Sequence, residues 1–161
     1  MKFLVFNKKN TTLCLLILLL STNLFSKELL TNIAITDGDS LKGIYKNELI
    51  KIRLAEIDAP ELKQSFGLDS KNCLINLIQE SSNKVFFKFK ERDRYDRHVG
   101  WIYSKNLDIN LEMVKKGCAW AYDRYVKRKV LFKLQDDARE SKIGLWKNSE
   151  AIAPWKWRRA N

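Results

Sequence analysis

Three stretches in the first half of the chain place apolar and polar residues at alternate positions. Leu29 to Asp37 alternates loosely and runs into Asp37-Gly38-Asp39, and Ser40 to Tyr45 alternates through Leu41 and Ile44. Leu49 to Ile57 sets Leu49, Lys51, Arg53 and Ala55 against Ile50, Ile52, Leu54 and Glu56. A period of two belongs to a strand with one buried face. Lys46-Asn47 supplies a turn and Pro60 ends the third stretch, so the pattern predicts an antiparallel meander of three strands. The rhythm then changes. Leu68, Leu74, Ile75, Leu77 and Ile78 recur at helical spacing, which predicts an amphipathic helix over 68–79. Val85 to Phe89 and Val99 to Tyr103 read as two further strands. Asn110 is a candidate cap for a short helix ending at Gly117. Val126, Val130, Leu134 and Ala138, spaced by four, predict a last helix over 126–141 that Gly144 stops. The order predicts an α+β fold: a five-stranded β-barrel of the oligonucleotide-binding type with about three packed α-helices.

The first 26 residues follow a different pattern. Lys2, Lys8 and Lys9 precede an apolar core from Leu13 to Leu20, and Ser21, Thr22 and Asn23 close it. This is the layout of a signal peptide, with Ser26 as the small residue at the cleavage position, and the apolar run is short for a bilayer span. Cys14 lies inside the run and not after it, against a lipoprotein anchor. The expected organisation is a signal peptide over 1–26 and one domain over 27–161, with a retained N-terminal anchor as the alternative. The protein is expected to be exported, secreted or periplasmic.

Composition narrows the function. A chain of 161 residues is one domain in length, and 45 % hydrophobic with 11 % aromatic residues suffices for a packed core. Thirty Lys and Arg against 19 Asp and Glu give a net charge of +11. Residues 1–26 hold three lysines and no acid, so removing them leaves 27 basic against 19 acidic residues, or +8. Such an excess points to a polyanionic partner: nucleic acid, an anionic membrane or a phosphorylated substrate. The membrane reading lacks a long basic amphipathic helix with aromatic anchors. One histidine argues against a Ser-His-Asp triad, and three cysteines are too few for a disulfide scaffold or a four-cysteine zinc site. Cys73 and Cys118 would enter an oxidising compartment, where they either form a disulfide or remain two buried thiols.

Three clusters carry candidate chemistry. Asp37-Gly38-Asp39-Ser40 has the make-up of a turn in which Gly supplies positive φ. Arg53-Leu54-Ala55-Glu56-Ile57-Asp58-Ala59-Pro60-Glu61 brings an arginine and two carboxylates to a proline-fixed strand end. That is either a corner for phosphate and metal or a charged terminus with weak surface ion pairs. Arg92-Asp93-Arg94-Tyr95-Asp96-Arg97 is either a solvated loop or a phosphate clamp, since arginine offers a two-donor fork to phosphate oxygens. His98 reads as a solvated strand-start residue or a base. Trp155, Trp157, Arg158 and Arg159 read as tryptophans packed on the barrel or as a base-stacking tail. Lys127, Arg128, Lys129 and Lys133 read as a solvated helix face.

These clusters, followed by Gly117-Cys118-Ala119-Trp120, Ala138-Arg139 and Gly144-Leu145-Trp146, resemble the thermonuclease family, the calcium-dependent nucleases typified by the staphylococcal enzyme. The resemblance spans roughly Ile33 to Trp146, and its strength lies in the full series in this order. It implies that Asp39 and Asp58 are calcium carboxylates and that Ala59 lends a backbone carbonyl. It implies that Arg53 and Arg97 hold the scissile phosphate and that Glu61 acts on the attacking water. Arg94 and Tyr95 would line the nucleotide pocket, with Tyr122 from a later segment. Ser40 and Ala59 replace frequent threonines, and Asp96 stands where the type enzyme has glycine, either weakening or orienting Arg97.

These roles match the chemistry. A phosphodiester resists attack because it is anionic, so catalysis must cancel charge and activate water. Calcium favours oxygen donors, and a glutamate beside the water can take its proton. The expectation is an exported Ca2+-dependent nuclease that hydrolyses DNA and RNA with little base preference and leaves 3′-phosphate ends. It would act as a monomer, with no stable protein partner and no membrane contact beyond the signal peptide. The alternative is a non-catalytic nucleic-acid-binding module on the same barrel.

Overall fold

The computed structural model describes residues 27–80, 84–105 and 107–161; the expected signal peptide over 1–26 lies outside them. The alternating stretches form strands β1 (Glu28–Ile35), β2 (Ser40–Tyr45) and β3 (Glu48–Leu54), paired antiparallel in chain order as expected. Lys46 and Asn47 both have positive φ, 51° and 64°, which gives a tight hairpin the twist its strands require. A two-residue strand β4 (Ile57–Asp58) follows, then helix α1 (Gly67–Glu80). Strands β5 (Val85–Arg92) and β6 (His98–Ser104) form a second hairpin. Strand β1 pairs with β5, and β6 returns to lie parallel to β3, with Arg53 opposite Val99. This parallel seam closes five long strands into a barrel, as the sequence predicts.

The rest of the chain covers the barrel. Strand β7 (Leu107–Asp108) leads into α2 (Ile109–Lys115). Strand β8 (Trp120–Ala121) pairs antiparallel with β4, setting Asp58 opposite Trp120. Helix α3 (Val130–Glu140), a 3-10 turn at Gly144–Lys147 and helix α4 (Pro154–Ala160) complete the described residues. Leu30, Leu41, Ile52, Phe87 and Ile102 fill the barrel at 1 % exposure or less, and α1 and α2 add Leu74, Leu77, Ile109 and Met113. Each such side chain contributes roughly 1.5–3 kcal/mol relative to exposure.

Three local expectations need correction. Asn110 is not the cap of α2: Asp108 is, its carboxylate accepting the Leu111 N–H at 3.0 Å. Asn110 is buried one turn in, where its side chain bonds Ile102 N–H and the carbonyls of Ala55 and Gly100. Helix α3 begins at Val130 and not Val126; ahead of it the Lys127 and Arg128 N–H groups donate to Glu56. His98 is buried, not solvated, packed edge-on to Tyr45 and Phe89. Trp155, Trp157, Arg158 and Arg159, read as a basic aromatic tail, lie on helix α4.

Candidate active site

The Asp37-Gly38-Asp39 turn joins β1 to β2. Gly38 is there for space and not for a positive φ: a Cβ would stand 1.9 Å from Ser70 Oγ and 2.7 Å from Ala59 Cβ. This closeness brings Asp39 against the end of β4. Asp39 is buried; its Oδ2 accepts the Ala59 N–H at 2.6 Å, and its Oδ1 accepts the Ser40 hydroxyl at 3.0 Å and faces Arg53 Nε at 3.1 Å. Asp37 turns back to accept the Asp39 N–H, and its pKa is pushed up to about 6 by burial and by the Asp39 charge.

Arg53, at the end of β3, ties the corner together. Its Nη1 donates to the carbonyls of Leu54 and Ile57 at 2.6 and 2.8 Å, and its Nη2 to Asp58 Oδ1 at 2.7 Å. Most of its donors are therefore spent on the protein, which fixes its plane. Asp58 is almost completely buried, and that burial raises its pKa against the pull of Arg53. Asp39, Arg53, Asp58 and Ala59, expected from sequence to act together, do lie together.

Glu61 joins this group through a residue outside the expected site. Arg158, on α4, reaches Asp58 Oδ2 at 2.8 Å and Oδ1 at 3.3 Å, and Glu61 Oε1 at 2.7 Å. Burial of the guanidinium opposes its charge, but the bonds to Asp58 and Glu61 outweigh that and raise its pKa. Sequence pattern placed Arg158 in a basic aromatic tail, and a contact across a separation of 100 residues leaves no local signal.

Arg94, Tyr95 and Arg97 form a second group on the β5–β6 hairpin. Arg97 pairs with Asp93 through Nε and Nη2, both at 2.8 Å, and lies over the Tyr95 ring. Arg94 donates to the Tyr95 hydroxyl at 2.6 Å. The Asp96 carboxylate pairs with Arg92, and Arg97 with Asp93. The Asp96 φ of 59° explains why glycine suits the position, and aspartate tolerates it. The β3–β6 seam sets Arg53 opposite Val99, two residues beyond Arg97, so both arginines rise from one edge of the barrel. Tyr122 joins neither group: it stacks on Trp155 at 5.1 Å with 7° between the rings, beside Tyr125. Trp155 also meets Trp120 at 5.7 Å, so it packs as the structural reading expected.

A further position the sequence left unmarked is Glu56, at φ 68°. Its carboxylate accepts Trp101 Nε1 at 2.8 Å, the Lys127 and Arg128 N–H groups at 2.7 and 2.9 Å, and Arg128 Nε. Burial raises its pKa, and these bonds outweigh burial and hold it below the ordinary glutamate range. Arg128 is therefore half-buried, between Glu56 and Asp108, and not part of a solvated face.

A closed five-stranded barrel with helices on its outside defines the oligonucleotide-binding-type architecture, and a carboxylate–arginine corner stands at one strand end. The chain belongs to the family described as staphylococcal nuclease homologues, whose model matches residues 51–148. It is 41 % identical over 150 residues to an "Uncharacterized endonuclease" of Haemophilus influenzae, covering 92 % of this chain and 83 % of the relative. An "Uncharacterized endonuclease" of Escherichia coli O157:H7 is 36 % identical over 127 residues, or 78 % and 82 % of the two chains. A "Micrococcal nuclease" of Shigella flexneri is 36 % identical over 140 residues, or 80 % and 79 %. The resemblance seen in the motifs is thus borne out, and the protein is a hydrolase of the nuclease class.

Proposed function

We propose that the protein is an exported calcium-dependent nuclease that cleaves DNA and RNA with little base preference. The observation that carries this reading is the corner itself: Asp39, Arg53 and Asp58 joined by direct bonds, with Glu61 beside them. Two buried carboxylates and the Ala59 main chain make a set of hard oxygen donors, which fits a calcium ion that completes its shell with water. Among the described residues no three His, Cys, Asp or Glu side chains cluster as a metal cage, so the protein would supply two carboxylates and not three. Bound calcium would neutralise charge on the phosphodiester.

The chain's own residues would do the rest. Glu61 accepts the proton of the attacking water. Arg97, on an exposed hairpin with its fork partly turned to Asp93, swings onto the phosphate and neutralises the charge that builds on its equatorial oxygens. Arg53 holds Asp39 and Asp58 in register and keeps one face toward that phosphate. Such contacts address the sugar-phosphate backbone, which carries no sequence information, and the positive balance of the chain draws the polyanion. By the family's pattern the products carry 3′-phosphate ends. The Cys73–Cys118 disulfide, with Cα atoms 6.3 Å apart, supports export to an oxidising compartment.

The test is cleavage of a single-stranded oligonucleotide with calcium or with chelator, followed by analysis of the product ends. Calcium-dependent release of 3′-phosphate ends is expected. Binding without cleavage would identify the alternative, a non-catalytic nucleic-acid-binding module.

A further inference from the structure

Asp58 and Glu61 share a cation that the chain itself provides. The Arg158 guanidinium bonds both oxygens of Asp58 and, through Nη1, Glu61 Oε1 at 2.7 Å. Asp39 is held differently, by the neutral Ala59 N–H and Ser40 hydroxyl on top of Arg53. A guanidinium is a donor only and does not lose its proton in proteins, so it acts as a fixed positive charge. A calcium ion requires carboxylate oxygens at about 2.3–2.6 Å. Arg53 takes Asp58 Oδ1 at 2.7 Å, so Oδ2 is the oxygen left for a metal, and Arg158 occupies it at 2.8 Å; calcium and the Arg158 guanidinium would compete for it. Glu61 Oε1 is occupied by the same guanidinium.

We propose that Arg158 is an internal counter-ion that the metal must displace, so that helix α4 sets the calcium concentration at which the site becomes competent. The inference rests on the calcium reading above and concerns which residue opposes the ion. The anchor and the plug are separable. Helix α4 is seated by buried Pro154 and by Trp155 stacked on Tyr122, whereas the Arg158 side chain is 40 % exposed. The long side chain can leave Asp58 and Glu61 while the helix stays in place. One displacement then does two things: it opens a ligand oxygen on Asp58 and releases Glu61 Oε1 from its guanidinium partner.

The test is calcium binding by titration calorimetry on the purified protein without nucleic acid, comparing wild type with Arg158→Gln, Arg158→Lys and Asp58→Asn. Arg158→Gln should bind calcium about tenfold more tightly, the scale of a partly exposed charged contact. Arg158→Lys keeps the charge without the fork and should fall between the two. Asp58→Asn should abolish binding. Equal or weaker calcium binding by Arg158→Gln, with Asp58→Asn still defective, overturns the counter-ion and leaves the calcium reading intact. Unchanged calcium affinity together with a weakened oligonucleotide Kd would make Arg158 a phosphate ligand instead, and also overturns the proposal. Calcium uptake by none of the proteins would refute the calcium reading and this inference with it. Thermal melting of each variant confirms that it is folded.

Discussion

Replacing Glu56 with glutamine removes one charge and one acceptor from a buried carboxylate outside the site. Four donors converge on this carboxylate, two on each oxygen. A glutamine has one oxygen, so two donors would keep an acceptor and two would face an NH2 group. An unsatisfied buried donor costs about 1–3 kcal/mol. Arg128 keeps Asp108 as a partner at 2.6 Å, which softens its loss. The expected destabilisation is about 3 kcal/mol, or a fall in Tm of about 10 °C for a domain of this size. Urea unfolding followed by circular dichroism should show a lower midpoint at an unchanged m-value. The folded pKa lies below the ordinary glutamate value, so the contribution is present at neutral pH and is lost as pH falls through that lowered pKa. The gap between the two proteins should hold from pH 6 to 8 and close in acid. Lys133→Ala, at an exposed helix pair, serves as the control and should leave the midpoint in place. A loss below about 1 kcal/mol for Glu56→Gln would show that the four bonds are not cooperative and that water replaces them freely.

Three further outcomes are expected. Reducing the Cys73–Cys118 bridge, which closes a separation of 45 residues, should cost about 4 kcal/mol by loop entropy. Urea midpoints with and without reductant measure it, and two free thiols in the unfolded, unreduced protein lacking residues 1–26 would reject the bridge. Arg97→Lys should lower kcat about a hundredfold with KM little changed, because the fork is used chiefly as charge develops. Arg94→Lys should act mainly on KM, and a larger kcat loss at Arg94 than at Arg97 in oligonucleotide kinetics would reverse their roles.

What sequence made legible follows from the range of each interaction. The meander shows in an alternation of two, and the Lys46-Asn47 turn in residues that accept positive φ. Asp39, Arg53, Asp58 and Ala59 are legible because each sits in a short motif whose order resembles the family's, although the contacts that join them reach across as many as 20 residues. Asn110 misleads because its side chain has a choice: Asp108 takes the exposed cap, and the amide, which both donates and accepts, serves three buried backbone groups. Glu56 and Arg128 look like surface charges until the fold folds one over the other, 72 residues apart. Arg158 is the extreme case: its partners are set by where a seven-residue helix docks, and no periodicity encodes a docking site.

The parallel seam between β3 and β6 has a consequence in time. Residues 52–54 must wait for residues 98–100 before the barrel can close, and the entropy of closing that loop is spent before the pairing returns anything. Asp58 takes its place only when β4 meets β8, later still in the chain. A growing or unfolded polypeptide therefore contains the acids and arginines of the site but no assembled corner. For an enzyme that attacks nucleic acid, made where nucleic acid is abundant, slow non-local closure acts as a delay. The chain gains the capacity to cut only after it has finished folding.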